Sequence, residues 1–193
     1  RFLINGEPTD NRLATATRGV LRARLTASGR AAHSSHPELG ESAIEKLVDA
    51  IVALRAIDWP EDPRFGRTTY TVGVIEGGVA PNVVPARARA EVLFRTVGPL
   101  EDVRERLEGL RTLVEVEDVL GIGPVFMHTV EGFETASFPY TTDVPLLSNW
   151  GTPLLYGPGS VLVAHTDHEH VRIADLHRAV DDYVRLAIRL MDE

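Results

Sequence analysis

The sequence has no cysteine. Disulfides, thiolate metal ligands and a cysteine nucleophile are therefore excluded, and a metal would have to be held by His, Asp and Glu. Those donors suit zinc, cobalt or manganese. Lysine is almost missing too: Lys46 is the only one, and the other basic side chains are arginines. Acidic side chains (28) outnumber basic ones (20), for a net charge of −8, and no basic stripe of the kind that contacts nucleic acid is present. No apolar run reaches the roughly 18–20 residues a membrane span requires. The opening Arg1-Phe2-Leu3-Ile4 turns polar at Asn5, unlike a signal peptide. These absences set the expectation of a cytoplasmic protein with no nucleic-acid and no membrane partner.

What is present is an ordinary globular composition, 44% hydrophobic and 25% charged over 193 residues, enough for one domain or two small ones. Phe2-Leu3-Ile4 reads as the end of a buried strand running into the turn Asn5-Gly6-Glu7-Pro8. With nothing upstream to pair with it, the chain is expected to begin inside a domain. Apolar and basic residues alternate from Gly19 to Ala27, the period of a strand with one wet face. After Pro37 and Gly40, the spacing of Ile44, Leu47, Val48, Ile51, Val52 and Leu54 predicts an amphipathic helix. Thr68 to Ile75 is β-branched and reads as a strand, broken by Gly77-Gly78. Val83 to Val97 alternates as one long strand, antiparallel to the preceding one if the glycine turn is tight. Pro99 to Leu110 predicts a short helix with proline at its start, and Leu113 to Val130 a broken strand region with Gly121, Gly123 and Pro124.

The order β-α-β-β-α-β over residues of about 18–130 matches the split βαβ, ferredoxin-like plan, with two helices on one sheet face. Beyond Gly132 the character changes. Leu154-Leu155-Tyr156 is a short strand, and a helix is predicted from about Ala174 to Met191. Its apolar positions are Leu176, Val180, Tyr183, Val184, Ala187, Ile188 and Met191, and it is expected to pack against the Phe2 segment and against further protein.

Four segments can carry chemistry. Gly6-Glu7-Pro8-Thr9 places a carboxylate just past a strand end, where open α/β sheets hold their sites; a solvated turn glutamate is the plainer reading. Gly29 to Pro37 holds His33 and His36 in a loop, either a polar helix cap or an imidazole that steadies an oxyanion. His165-Thr166-Asp167-His168-Glu169-His170 concentrates metal-binding side chain types, or is a solvated acidic loop. In Val79-Ala80-Pro81-Asn82-Val83-Val84-Pro85, Asn82 either forms the turn or bonds a substrate.

Together the four resemble the co-catalytic zinc amidohydrolases that include acetylornithine deacetylase, succinyl-diaminopimelate desuccinylase and carboxypeptidase G. The resemblance rests on Gly6-Glu7-Pro8-Thr9, on AAHSSHPELGESAIEKL from Ala31, on PNVVPARARAEVLFR from Pro81 and on YGPGSVLVAHTDHEHV from Tyr156, in the same order. It implies an α/β catalytic domain interrupted by a ferredoxin-like lid that dimerises. Mapped here, residues 1–16 and 132–193 are catalytic-domain segments and 17–131 are the lid. It implies two zinc ions, cobalt or manganese being possible substitutes. Glu7 would bind one and His165 the other, after the Gly-Pro-Gly loop that contains Gly159. His33 would reach the carbonyl of a substrate in the partner subunit of a homodimer, Asn82 would line the same pocket, and Arg95 matches an arginine of variable substrate role.

The family's first metal-binding His, its bridging Asp and its Glu-Glu pair lie upstream of Gly-Glu-Pro-Thr in relatives and have no counterpart here. The stretch from Phe133 to Asp143 is shortened. The implied reaction is hydrolysis of an N-acyl amino acid or small peptide by metal-activated water, and the pattern from Thr141 to Leu147 resembles the acetylornithine branch. The chain alone is expected to bind metal weakly and to hydrolyse nothing. The competing expectation is a non-enzymatic ferredoxin-like dimerisation or regulatory module.

Overall fold

The structure, a computed structural model, describes residues 1–192. Its elements in chain order begin with β1 (Phe2–Asn5), β2 (Leu13–Thr17), β3 (Gly19–Ser28), β4 (Ala32–His33) and α1 (Ala43–Ala56). There follow β5 (Glu61–Asp62), β6 (Gly66–Arg67), β7 (Thr69–Gly77), β8 (Val83–Val84), β9 (Arg87–Thr96) and α2 (Leu100–Leu107). The last are β10 (Glu115–Ile122), β11 (Val125–Phe126), β12 (Thr135–Phe138), β13 (Thr152–Leu155) and α3 (Ile173–Met191). The chain forms two compact units: Gly19–Pro124, and Arg1–Arg18 together with the described residues from Val125 onward.

The unit Gly19–Pro124 is ferredoxin-like. Its four-stranded sheet has the order β10-β3-β9-β7, every neighbouring pair antiparallel. Alternation along β3 and β9 puts Leu21, Ala23, Leu25, Ala88, Ala90, Val92 and Phe94 in one core with α1 and α2. Trp59 and Tyr70 close over Phe94, with ring centroids 5.0 and 5.8 Å away. The other sheet face is charged. Arg24 bridges Glu91 and Glu117 across three strands at 3.1 and 2.9 Å. Such cross-strand pairs hold register rather than supply much stability.

Two sequence expectations are corrected in this unit. Val83 to Val97 is two strands, because Pro85 offers no N–H to a ladder. Ala43, Leu47, Ala50 and Leu54 form the buried face of α1, while Ile44, Val48 and Val52 stay exposed. The helix thus has a second apolar stripe beside the covered one. Ser42 caps it, its hydroxyl accepting the Glu45 N–H at 3.2 Å.

In the other unit, β1 and β13 pair in parallel, and β2 lies between β11 and β12. The predicted broken strand from Leu113 to Val130 therefore divides between the units, its break falling at Gly123-Pro124. As expected, α3 packs with the Phe2 segment: Ala179 and Leu186 join Leu13, Leu154 and Tyr156, with Phe2 and Ile4 against them. Asp182 is the exception to an apolar interface. It is buried, accepts the Tyr156 hydroxyl, and holds Arg185 at 2.6 Å. Leu176, Val180, Val184 and Ile188, among the apolar positions expected to meet the Phe2 segment and further protein, are exposed and are left uncovered by the described residues. No helix among the described residues is long and apolar enough to cross a membrane.

Candidate functional site

The two motif loops of this unit leave the same ends of two paired strands. β1 and β13 run parallel, so Gly6-Glu7-Pro8-Thr9 and Gly157-Pro158-Gly159 both emerge at carboxyl ends, the edge where open α/β sheets bind ligands. Backbone hydrogen bonds lock the loops together. The amides of Thr9 and Asn11 donate to the Gly157 carbonyl at 3.2 and 3.0 Å, and Asp10 N–H donates to the Gly159 carbonyl at 2.8 Å. The fully buried Thr9 hydroxyl accepts the Gly157 N–H at 3.0 Å. Gly157 has to be glycine, since a Cβ there would lie 2.5 Å from the Glu7 carbonyl oxygen.

This locking places Glu7 in a half-buried position. Burial, and then the negative charge of Asp143, raise its carboxyl above its ordinary value. Tyr140 lies beside it, its hydroxyl donating to the Pro8 carbonyl at 3.1 Å. Burial and then the Glu7 and Asp10 charges hold that phenol well above its ordinary value. Two carboxylates in mutual repulsion are an arrangement that a bound cation relieves.

The histidine loop turns repeatedly after Ser160, and His165 sits in it with φ +62°. Its N–H is held by a Glu169 carboxylate oxygen at 2.8 Å, and its imidazole is exposed. Asp10, Asn11 and His165 are the non-glycine residues with positive φ among the described residues. Asp10 and Asn11 follow Gly6-Glu7-Pro8-Thr9 directly, His165 lies in the histidine loop, and Gly159 has φ +83°. Asp10 and Asn11 are the central residues of a turn closed by the Arg12 N–H on the Thr9 carbonyl at 3.1 Å, a place where Asp and Asn take left-handed backbone readily.

A carboxylate and an imidazole are suitable donors for zinc, but a zinc site takes three or four of them from the protein. Among the described residues no group of three or more His, Asp or Glu side chains could hold a metal ion. Glu7 and His165 thus do not complete a metal site by themselves.

The second group of candidates lies in the ferredoxin-like unit. β4 pairs with β8, setting His33 opposite Val83, and the Ser34 N–H donates to the Asn82 carbonyl at 3.0 Å. His33 and Asn82 therefore share one exposed corner. Ser35 N–H donates to His33 Nδ1 at 3.2 Å. A backbone N–H can only donate, so Nδ1 is the acceptor and the neutral ring carries its proton on Nε2. Arg95 is elsewhere. It pairs with Val20 near the far end of β9, and the eight-residue run from Arg87 places it ~26 Å along the strand at ~3.3 Å per residue.

Reading the sequence residue by residue missed Thr9, Asp143, Tyr140 and Ser35 as contributors. Thr9 was visible as part of a motif but not as the clamp on Gly157. Ser35 carried a usable signal, being two residues from a histidine in a loop, where such backbone contacts are common.

Residues 15–120 match the family model described as a peptidase dimerisation domain. Curated relatives include a probable carboxypeptidase from Aspergillus terreus, 38% identical over 213 residues, which cover 96% of this chain and 49% of that protein. A peptidase M20 domain-containing protein from Schizosaccharomyces pombe is 35% identical over 189 residues, covering 96% of this chain and 47% of its own length. The chain thus spans about half the length of the curated relatives it matches. Among solved structures, aminopeptidase PepT from Bacillus cereus superposes with a TM-score of 0.70 at 15% identity, over 92% of this chain and 53% of that one. An aminobenzoyl-glutamate utilization protein from Klebsiella pneumoniae does so at 0.62 and 18% identity, over 81% and 49%. At those identities the likeness is one of fold. The motifs, the ferredoxin-like sheet and the matched family model together make this chain a member of the M20 peptidase family, carrying its dimerisation domain.

Proposed function

We propose that the chain is part of a metal-dependent amide hydrolase acting on N-acyl amino acids or small peptides with a free carboxylate. The observation that carries this reading is the locked pair of loops at the carboxyl ends of β1 and β13, with Glu7 and His165 on them. In the proposal both are metal ligands, zinc being the first choice and cobalt or manganese the others, and the remaining ligands lie outside this chain. The exposed apolar stripe of α3 is then the face against which the rest of the catalytic domain packs.

The partner is proposed to be a second copy, joined through the dimerisation domain. β7 is an edge strand, and Ile75 on it is exposed, as are Ile44, Val48 and Val52 on α1. A free edge beside an apolar stripe is a surface that soluble proteins cover. His33, with its Nε2–H free to donate, would steady the carbonyl oxygen of a substrate held by the other subunit, next to Asn82. Arg95, at the opposite end of β9, would serve a different substrate contact from the one His33 makes, and Gly159 would shape the loop beside Glu7.

The test is the longer protein beside this chain. Expected are bound divalent metal and hydrolysis of N-acetyl amino acids, N-acetylornithine included, or of dipeptides, both reduced by Glu7→Gln and by His165→Ala. This chain alone is expected to show neither. A longer protein with no metal and no hydrolysis would leave the non-enzymatic dimerisation module as the better reading.

A further inference from the structure

The histidine loop runs from Ser160 to Val171, and none of its residues is buried. Beyond Ser160, its hydrogen bonds among the described residues close within the loop. Val163 N–H donates to the Ser160 carbonyl at 3.3 Å and Glu169 N–H to the Thr166 carbonyl at 3.1 Å. The two ends lie together, since a Cβ placed on Gly159 would sit 3.4 Å from Val171. A surface loop with adjoining ends and no buried anchor of its own is placed by its roots. The position of His165 is therefore set where the loop leaves Gly157 and where it enters α3.

Asn11 holds both roots. Its backbone N–H donates to the Gly157 carbonyl at 3.0 Å. Its side-chain amide donates to the Asp175 carbonyl at 3.1 Å, in the first turn of α3. A carbonyl only accepts, so the NH2 end of the amide faces the helix. Asp175 in turn takes Arg172, the residue just before α3, through both carboxylate oxygens at 2.7 and 2.8 Å. Asn11 is only 3% exposed, and its Oδ1 is buried with no hydrogen-bond partner among the described residues. An unpaired buried oxygen costs stability, so packing does not account for asparagine here. Nor does the turn, because φ +55° suits glycine at least as well. What asparagine adds is the bond to Asp175.

We infer that Asn11 is a positioning residue: by holding the histidine loop at both roots, it fixes His165 relative to Glu7. Thr9 clamps the first root, and Asn11 adds the second. This rests on the reading of Glu7 and His165 as metal ligands.

Two glycine variants test it. Asn11→Gly keeps the left-handed backbone and removes the side-chain bond. Asp10→Gly makes the same backbone change one residue earlier, where the side chain is exposed and meets Arg12 at 3.4 Å. In this chain, Asn11→Gly is expected to speed hydrogen exchange at the Asp175 and Leu176 amides about 2- to 12-fold, the worth of one hydrogen bond. The Gly157 amide, which Thr9 holds, should not change, and Asp10→Gly should leave all three as they are. In the longer protein, Asn11→Gly should weaken zinc binding about 10- to 100-fold in competition with a chelator, the usual effect of loosening the support of a ligand. Excess zinc should restore kcat at an unchanged KM, and Asp10→Gly should keep the parental zinc affinity. Asn11→Asp, which keeps the shape but replaces the donor by an acceptor, should behave as Asn11→Gly does. Equal effects of the Asn11 and Asp10 variants, on exchange or on zinc, overturn the inference while the hydrolase reading stands. A longer protein that binds no zinc refutes the hydrolase reading instead, and the exchange comparison in this chain then decides whether Asn11 holds the loop.

Discussion

Replacing Thr9 by valine tests how the two motif loops are held. The side chains are nearly isosteric, so packing is kept and only the hydroxyl is lost. Thr9 is fully buried, and its Oγ1 accepts the N–H of buried Gly157 at 3.0 Å. The Gly157 carbonyl keeps its two backbone donors, Thr9 and Asn11. The perturbation therefore reduces to one orphaned N–H, which costs about 1–3 kcal/mol. Since 1.4 kcal/mol is tenfold in an equilibrium, local opening should become about 5- to 150-fold more frequent. Hydrogen exchange reads this directly. The amides of Thr9, Asp10, Asn11 and Gly157 should exchange faster by that factor, while amides in β3 and β9 are unchanged. Thr9→Ser keeps the hydroxyl and loses one buried methyl, worth about 0.8 kcal/mol. A Gly157 amide that exchanges no faster in the valine variant than in the serine variant would show that the Thr9 hydroxyl does not hold the loops. In the longer protein, the same change should weaken metal binding about 10- to 100-fold, the usual effect of loosening the support of a ligand.

Three other outcomes are expected. In the longer enzyme, His33→Ala should lower kcat about 10²- to 10³-fold with little change in KM. Mixing it with a Glu7→Gln variant should restore part of the activity, because each mixed dimer then holds one intact site; steady-state kinetics of the mixture checks this. Val48→Asp, at an exposed position on α1, should shift the protein toward monomer in analytical ultracentrifugation without lowering its melting temperature, whereas an unchanged mass would place the interface elsewhere. Phe94→Ala should destabilise the ferredoxin-like unit by about 3–5 kcal/mol. Trp59, 5.0 Å from Phe94 and buried, should report that loss as a fluorescence transition at lower urea, while exposed Trp150 reports on the other unit.

The ferredoxin-like plan was legible because it rests on local periods. Alternation along Gly19–Ala27 and Val83–Val97 names the buried face of each strand whatever the partners are, and the 3.6-residue repeat after Gly40 marks α1. The same local signal misled where a helix has more apolar surface than its own unit covers. In α1 and α3 the sequence shows a broad apolar arc, and only packing separates Leu47 from Val48, or Leu186 from Ile188.

Residue chemistry, too, was readable: with no cysteine, the metal-binding types are His, Asp and Glu, and they concentrate from His165 to His170, while Glu7 stands out by its place just past a strand end. The element order, the buried strand faces and the loops that carry reactive side chains are all properties of short stretches of chain, and so they could be read from residue order alone. Only the tertiary structure decided that Thr9 clamps Gly157 across 148 residues, that Asp143 repels Glu7, and that Arg95 lies at the opposite end of β9 from His33 and Asn82. Those relations arise from strand pairing and loop closure between distant segments, and hydrophobic period carries no record of which distant backbone groups meet.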